Sequence, residues 1–333
     1  MSESYNMDSL YTNLTSVSKT KNMKSNKIIM EMLEPLHIHN DVVSIEPIMD
    51  GMFNAVYRIV CKDENYIMKI APLETTKVMR YEKDMMKNEI AAMQYLQSQT
   101  GIPIAPIVYK DFDKKVCDSD YFIMNELNGR TLGSMKSEIT LWDLHKIEHK
   151  IGELNCSLNE LINNQFGYIY PHKGQSKSWY EMFAKMMKDI ISDSVDEKIA
   201  LPIGERDILN LLERDAEYID AVKRPAFVHW DLWDRNVMIC NGEITGILDL
   251  ERSFWGDYLM EYGFRKYNQS NSFLRGYGKS SFDDAETIRI MWYDVYWFIF
   301  NLNEGIYRGY NDDALYLWAK KMLSEKLLEI RER

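Results

Sequence analysis

The sequence predicts an α+β chain in two lobes, β-rich at the N-terminal end and mainly helical towards the C-terminus. Three observations predict this. Short β-like runs crowd residues 42–70, helical periodicity dominates after Gly129, and 333 residues exceed what one compact core ordinarily holds. The expected division is a tail over 1–26, an N-terminal lobe over 27–126 and a C-terminal lobe over 127–333.

Residues 1–26 are rich in Ser, Thr, Asn and Lys without a clear period, which predicts a loose tail or a poorly packed first helix. Residues 28–36 predict a short helix ending near Pro35. Val42–Ile48, Ala55–Cys61 and Tyr66–Ile70 predict three strands, separated by Asp50-Gly51 and by the polar turn at 62–65. A helix is expected over Val78–Gln97. Gly101, Pro103 and Pro106 then punctuate the chain, and Tyr121–Met124 predicts another strand. Later helices are expected over Leu141–Ile162, Trp179–Ser192 and Arg206–Val222. A β-like island spans Phe227–Leu250, and helices return from Asp283.

A net charge of −11 excludes the basic footprint that a nucleic-acid partner needs. No apolar stretch approaches the ~20 residues that cross a bilayer, so no membrane partner is expected. The start of the chain lacks the basic, apolar and small-residue sections of a signal peptide. Cys61, Cys117, Cys156 and Cys240 are far apart with no CxxC pair, which predicts reduced thiols in a cytoplasmic setting.

The segment FVHWDLWDRNVMICNGEITGILDLE, residues 227–251, carries the chemistry. His229, Asp231, Leu232 and Asn236 satisfy H-x-D-L-x-x-x-N, a phosphoryl-transfer catalytic loop apart from its Arg. Asn241-Gly242 predicts a two-residue hairpin, because both positions accept positive φ. Pairing Cys240 with Glu243 sets Asn236 opposite Ile247, with Asp249 about 7 Å further along the strand. Two oxygen-bearing side chains then lie at one end, where they suit Mg²⁺. Asp231 is left to orient an acceptor hydroxyl and take its proton, with His229 bracing the loop.

Lys69 ends an apolar strand. Met85, Glu89, Met93 and Leu96 share one stripe of the following helix. A carboxylate in such a stripe wants a cation, which predicts a Lys69–Glu89 pair. Gly51, between two strands, allows the backbone to approach phosphates. His145 and His149 read as a solvated helix face, and the aromatic cluster at 292–298 reads as core.

HWDLWDRN followed by ILDLE and FWGD resembles the aminoglycoside phosphotransferase and choline-kinase-like families. GMFNAVYRI resembles their G-x-x-N-x-x-Y nucleotide loop, YFIMNELNGRTL their hinge strand, and IGELNCSLNEL the helix after the hinge, with Asn159 where His is usual. The resemblance implies a protein-kinase-like fold and ATP or GTP with Mg²⁺. It implies Asp231 as base, Asn236 and Asp249 as metal ligands, and Lys69, held by Glu89, on the phosphates. It also implies Gly51 and Asn54 in the nucleotide loop, the backbone of Glu126 and Leu127 on the base, and Asp257 as a structural acid near the catalytic loop. Trp230 departs from the family, standing where glycine is usual beside the catalytic Asp.

A protein kinase would need Asp-Phe-Gly where this chain has Asp249-Leu250-Glu251. The reading is therefore a small-molecule kinase. A catalytically silent kinase-like module is the alternative that Trp230 leaves open. Residues 1–124 carry 14 Lys and Arg against 17 Asp and Glu; the larger acid excess falls beyond them and suits a cationic acceptor such as an aminoglycoside or amino sugar. Glu261, Asp294 and Glu304 are the expected amine contacts, and Trp230 either shapes the acceptor pocket or packs inward. Oligomeric state is open.

Overall fold

The computed structural model describes residues 18–99, 101–171, 174–265 and 270–333. Helix α1 (Asn26–Met32) precedes a five-stranded antiparallel sheet. Its strands are β1 (Val42–Ile48), β2 (Ala55–Cys61), β3 (Tyr66–Ile70), β4 (Ile107–Asp111) and β5 (Tyr121–Asn125), in spatial order β1-β2-β3-β5-β4. Alternation along β2 explains its two faces. Ala55, Tyr57 and Ile59 join Met68, Ile70, Tyr121 and Ile123 in a core closed by Ile29, Met32 and Leu33 around α1. Val56, Lys69 and Phe122 lie on the other face, towards the second lobe.

Most of the expected tail, residues 1–17, lies outside the described residues. The part from Ser18 is packed rather than loose. Thr20 is 1% exposed and its hydroxyl donates to the Phe53 carbonyl at 2.8 Å. The Lys19 amide donates to the Arg308 carbonyl at 3.0 Å.

Helix α2 (Met85–Gln97) starts seven residues later than its periodicity predicts, behind Asp84 at φ 62°. Residues 79–82 are claimed by the second lobe instead. The Arg80 guanidinium pairs with Asp193 at 2.5 Å and Asp196 at 2.7 Å, and Glu82 forms a fully buried ion pair with Arg308.

The second part of the chain is mainly helical. Beyond β6 (Arg130–Thr131) and α3 (Leu132–Met135) come α4 (Leu141–Glu160) and a small sheet begun by β7 (Phe166–Tyr168) and β8 (Gln175–Ser176). Next are α5 (Trp179–Asp196), α6 (Glu205–Arg214) and α7 (Ala216–Asp220). One helix was expected where α6 and α7 stand. It breaks at Asp215, whose carboxylate accepts from the Trp292 indole at 2.9 Å and pairs with Arg333 at 2.5 Å. Strand β9 (Ala226–Val228) leads into the hairpin β10 (Val237–Cys240) and β11 (Glu243–Ile247), and β12 (Phe254–Gly256) returns to pair with β7 and β9.

Helices α8 (Asn271–Tyr277), α9 (Asp284–Arg308) and α10 (Ala314–Glu332) complete the lobe. A capping box between Asp283 and Glu286 starts α9. Trp292, Tyr293, Tyr296, Trp297 and Phe298 are all buried on it, as a core helix requires. No helix among the described residues is long and apolar enough to cross a membrane.

Candidate active site

The hairpin that orders the site turns at Asn241 (φ 53°) and Gly242 (φ 76°), and Cys240 faces Glu243 as expected. Its register then slips. Ile239 pairs with Ile244 but Met238 pairs with Gly246, so Thr245 is the extra residue of a bulge. Thr245 is held by a 2.6 Å hydrogen bond from its hydroxyl to the Asn128 carbonyl. Ile247 therefore faces Val237, not Asn236 as the unbulged register predicts. Asn236 faces Leu248 instead, its carbonyl accepting from the Leu248 amide at 2.9 Å. The bulge thus brings Asn236 one residue nearer to Asp249.

The loop carrying Asp231 is shaped by four hydrogen bonds around one strained residue. Trp230 has φ 68°, a conformation that costs a non-glycine residue about 1–3 kcal/mol. The Glu261 carboxylate accepts from the amides on both sides of the bend, His229 at 2.7 Å and Trp230 at 3.1 Å. The Asp231 amide donates to His229 Nδ1 at 3.2 Å. Nδ1 is then an acceptor, so Nε2 carries the proton and donates to the Leu248 carbonyl at 2.9 Å. Burial holds the imidazole neutral, its pKa pushed down to about 4. His229 thereby ties the catalytic loop to the residue preceding Asp249.

Asp231 faces inward from that loop. Its Oδ2 accepts from Asn236 Nδ2 at 3.3 Å and lies 3.5 Å from the Arg252 guanidinium. Burial raises its pKa to about 6, against the lowering effect of Arg252. The same Asn236 amide donates to the Asp231 carbonyl at 2.9 Å. With Nδ2 so engaged, Asn236 Oδ1 is turned the other way and is an oxygen donor.

Lys69 Nζ is 2.5 Å from Glu89 on α2 and 2.5 Å from Asp249. The predicted Lys69–Glu89 pair is present, and it joins the sheet, α2 and the hairpin. Lys69 is fully buried, and these carboxylates hold it protonated against the burial that opposes its charge. Two oxygen donors, Asn236 and Asp249, suit a hard cation whose remaining ligands come from phosphate and water. Among the described residues no group of three or more His, Cys, Asp or Glu side chains is arranged to hold a metal.

Gly51 is open. A Cβ there would come no nearer than 3.8 Å to Val56, so the fold itself leaves room above the loop. Asn54 is 6% exposed, and its Nδ2 donates to Glu251 at 2.9 Å. At the hinge, the Glu126 amide donates to the Asn65 carbonyl at 2.9 Å, and the Glu126 carboxylate grips Arg58 at 2.7 and 3.0 Å. The Glu126 amide is therefore occupied. Leu127 packs against Gly246, where a Cβ would fall within 2.1 Å of its Cδ1.

The expected acceptor contacts need correction. Glu261 is fully buried and serves the catalytic-loop amides. Asp294 is 2% exposed and lies 3.7 Å from Arg265. Glu304 is also 2% exposed and lies 3.5 Å from Arg252. Carboxylates packed against protein cations and amides do not form an open amine-binding surface. Trp230 packs inward against Tyr81, Tyr296 and Phe300, with ring centroids 5.4–6.2 Å apart. Asp257 does not brace the catalytic loop directly. It accepts from Arg289 and the Tyr293 hydroxyl, both at 2.7 Å, and so anchors the end of β12 to α9.

Sequence reasoning missed Asn88, Glu251 and Arg252. Asn88 on α2 donates to the carbonyls of Glu251 at 2.9 Å and Ser253 at 2.8 Å, so it fixes the backbone after Asp249. The signal for Arg252 was present as the one cation between Ile247 and Trp255, beside Asp249 and Glu251. A separate groove of about 530 Å³, bordered by Ile102, Pro103, Leu154 and Ile244, contains none of the catalytic candidates.

No curated protein matches the chain by sequence. Among solved structures, a Haemophilus somnus 129PT protein described as a fructosamine-3-kinase superposes with a TM-score of 0.68 at 15% identity, covering 90% of this chain and 97% of its own. A thermostable mutant of the aminoglycoside phosphotransferase APH(4)-Ia gives 0.66 at 14% identity, covering 92% and 99%. The streptomycin–ATP complex of APH(2")-IIa gives 0.59 at 17% identity, covering 93% and 97%. These likenesses establish the kinase-like fold. The model of the phosphotransferase enzyme family matches residues 44–287, a span that contains Gly51, Lys69, Asp231, Asn236 and Asp249, and the chain belongs to that family.

Proposed function

We propose that this phosphotransferase moves the γ-phosphoryl group of ATP to a hydroxyl of a small molecule, with Asp231 as the base. The observation that carries the reading is the pairing of Asp231 with Asn236 and of Asp249 with Lys69, through contacts of 2.5–3.3 Å, joined by the backbone bond from Leu248 to Asn236. Phosphoryl transfer asks for positioned groups and neutralised charge rather than covalent chemistry by the protein.

Asp231 accepts the acceptor's proton as the acceptor oxygen bonds to the γ-phosphorus. The bond from that phosphorus to the bridging oxygen breaks, and the nucleoside diphosphate leaves with the electron pair. Lys69, held by Glu89, offsets phosphate charge. Asn236 and Asp249 would hold Mg²⁺, which when bound neutralises charge on the phosphates. The open backbone at Gly51 accommodates phosphate. The Glu126 carbonyl and the Leu127 amide are the hinge groups that would meet the base.

The acceptor is a hydroxyl-bearing small molecule. Streptomycin and ATP occupy the neighbour APH(2")-IIa, which supports an acceptor of that general size. The acid excess that suggested a cationic acceptor loses its named contacts, since Glu261, Asp294 and Glu304 are packed inside. A screen of ATP and GTP consumption over aminoglycosides, macrolides, amino sugars, choline and methylthioribose tests the reading. Acceptor-stimulated release of diphosphate is expected. Nucleotide binding with no turnover over the whole panel would favour the silent module.

A further inference from the structure

Trp230 takes a backbone conformation suited to glycine, and Arg252 is buried beside the proposed base. Both facts find one explanation in the side chains around them. The Arg252 guanidinium lies against two ring faces, with its carbon 4.7 Å from the Phe300 centroid and 5.7 Å from that of Trp230. Its two terminal nitrogens divide between acids, one 3.5 Å from Asp231 Oδ2 and the other 3.5 Å from Glu304 Oε1. Glu304 projects from α9 and is 2% exposed, so it is a fixed anchor.

We propose that Trp230, Phe300 and Glu304 hold Arg252 as a positioning clamp that orients the Asp231 carboxylate towards the acceptor. The inference rests on the phosphotransfer reading and adds two positioning residues to it, Arg252 and Trp230.

Both protein contacts to the Asp231 carboxylate, from Asn236 Nδ2 at 3.3 Å and from Arg252 at 3.5 Å, fall on Oδ2. Oδ1 is thereby the oxygen presented for proton transfer. A bidentate guanidinium would engage both oxygens and quench the base. Glu304 prevents this by drawing the other side of the fork towards α9. The ring faces stop the guanidinium from rotating. Glycine at 230 would relieve the backbone but remove one of those walls. The indole is also edge-on to Tyr81 of the β3–α2 connection, at 6.2 Å between centroids, so the clamp is seated against both parts of the chain.

The test uses hydrolysis of MgATP in the absence of acceptor, where water takes the phosphoryl group. Wild type is compared with Arg252→Lys, with Arg252→Met/Glu304→Gln, with Trp230→Phe and Trp230→Gly, and with each combined with Asp231→Asn. The paired Met and Gln change removes the Glu304 charge together with that of Arg252 and leaves Asp231 its hydrogen bond from Asn236, which keeps the fold testable. The expected result is a kcat lower by about ten- to a hundred-fold in Arg252→Met/Glu304→Gln, with KM for ATP nearly unchanged. Arg252→Lys and Trp230→Phe should fall between this and wild type, and Trp230→Gly should lose kcat despite its relaxed backbone. None should lower turnover further once Asp231 is Asn, because the clamp acts only through that carboxylate. Losses that multiply with Asp231→Asn, or a change confined to KM, would overturn the clamp. Failure of the wild-type protein to bind or turn over MgATP would instead overturn the phosphotransfer reading, and the clamp with it.

Discussion

Asn54 donates a 2.9 Å hydrogen bond to the carboxylate of Glu251, joining the loop after β1 to the segment just beyond Asp249 across 197 residues of chain. Burial, with Glu89 and Asp249 close by, pushes the Glu251 carboxyl above the usual carboxylate range, so the amide donor matters to it. Asn54→Ala should raise the KM for MgATP several-fold and cost about 1–3 kcal/mol of stability, the penalty of a buried polar group left without its partner. ATP saturation and denaturant unfolding measure the two effects. An unchanged KM would show that the loop is set by other contacts.

Glu261 should behave as a structural acid, not as a substrate contact. In Glu261→Gln, one of the two loop amides meets an NH₂ group instead of an oxygen. Unfolding by urea should show a loss of about 1–3 kcal/mol, with kcat falling more than acceptor KM rises. A variant of wild-type stability with only acceptor KM altered would restore the substrate-contact role.

His229 makes the fold acid-sensitive in a defined window. Its ordinary pKa is 6.5 and burial lowers it to about 4 in the folded protein. Between those values the unfolded chain binds a proton that the folded chain refuses, so stability falls as pH drops. The contribution present above pH 6.5 is lost progressively towards pH 4, up to roughly 3 kcal/mol at about 1.4 kcal/mol per unit. Urea unfolding at pH 7 and pH 4.5 should show wild type losing more stability than His229→Asn. Equal losses would contradict a buried neutral imidazole.

The buried Glu82–Arg308 pair fixes the β3–α2 connection to the end of α9, and Arg308 also covers the Phe53 ring at 4.8 Å. Arg308→Met alone leaves the Glu82 carboxylate buried without its cation and should cost about 3–5 kcal/mol. Arg308→Met/Glu82→Gln should recover much of that loss. Thermal unfolding of the three proteins decides it; a double variant no better than the single would mean that packing, not charge, dominates.

Legibility in the sequence followed the range of the forces involved. The bounds of β1, β2 and β3 could be read because local alternation and polar turns set them. The Asn241-Gly242 turn was legible for the same reason. The bulge at Thr245 was not, because it depends on a bond to Asn128, 117 residues away. The late start of α2 was hidden likewise, since residues 79–82 have helical periodicity but are held by Asp193, Asp196 and Arg308. Among the site residues, Asp231, Asn236 and Asp249 stood out by spacing, and Lys69 and Glu89 by a charge set in an apolar pattern. Glu261 was misread because an acid between Met260 and Tyr262 gives no sign that two backbone amides require it.

The central claim is that Asp231 takes the acceptor's proton and has no part in holding the nucleotide. The direct measurement is MgATP binding by calorimetry alongside phosphoryl-transfer turnover for wild type and Asp231→Asn. The account predicts that the variant binds MgATP with a Kd near that of wild type and loses transfer by on the order of a thousand-fold or more, the scale of a general base together with its positioning. Turnover near the wild-type rate in Asp231→Asn, with binding intact, would contradict it.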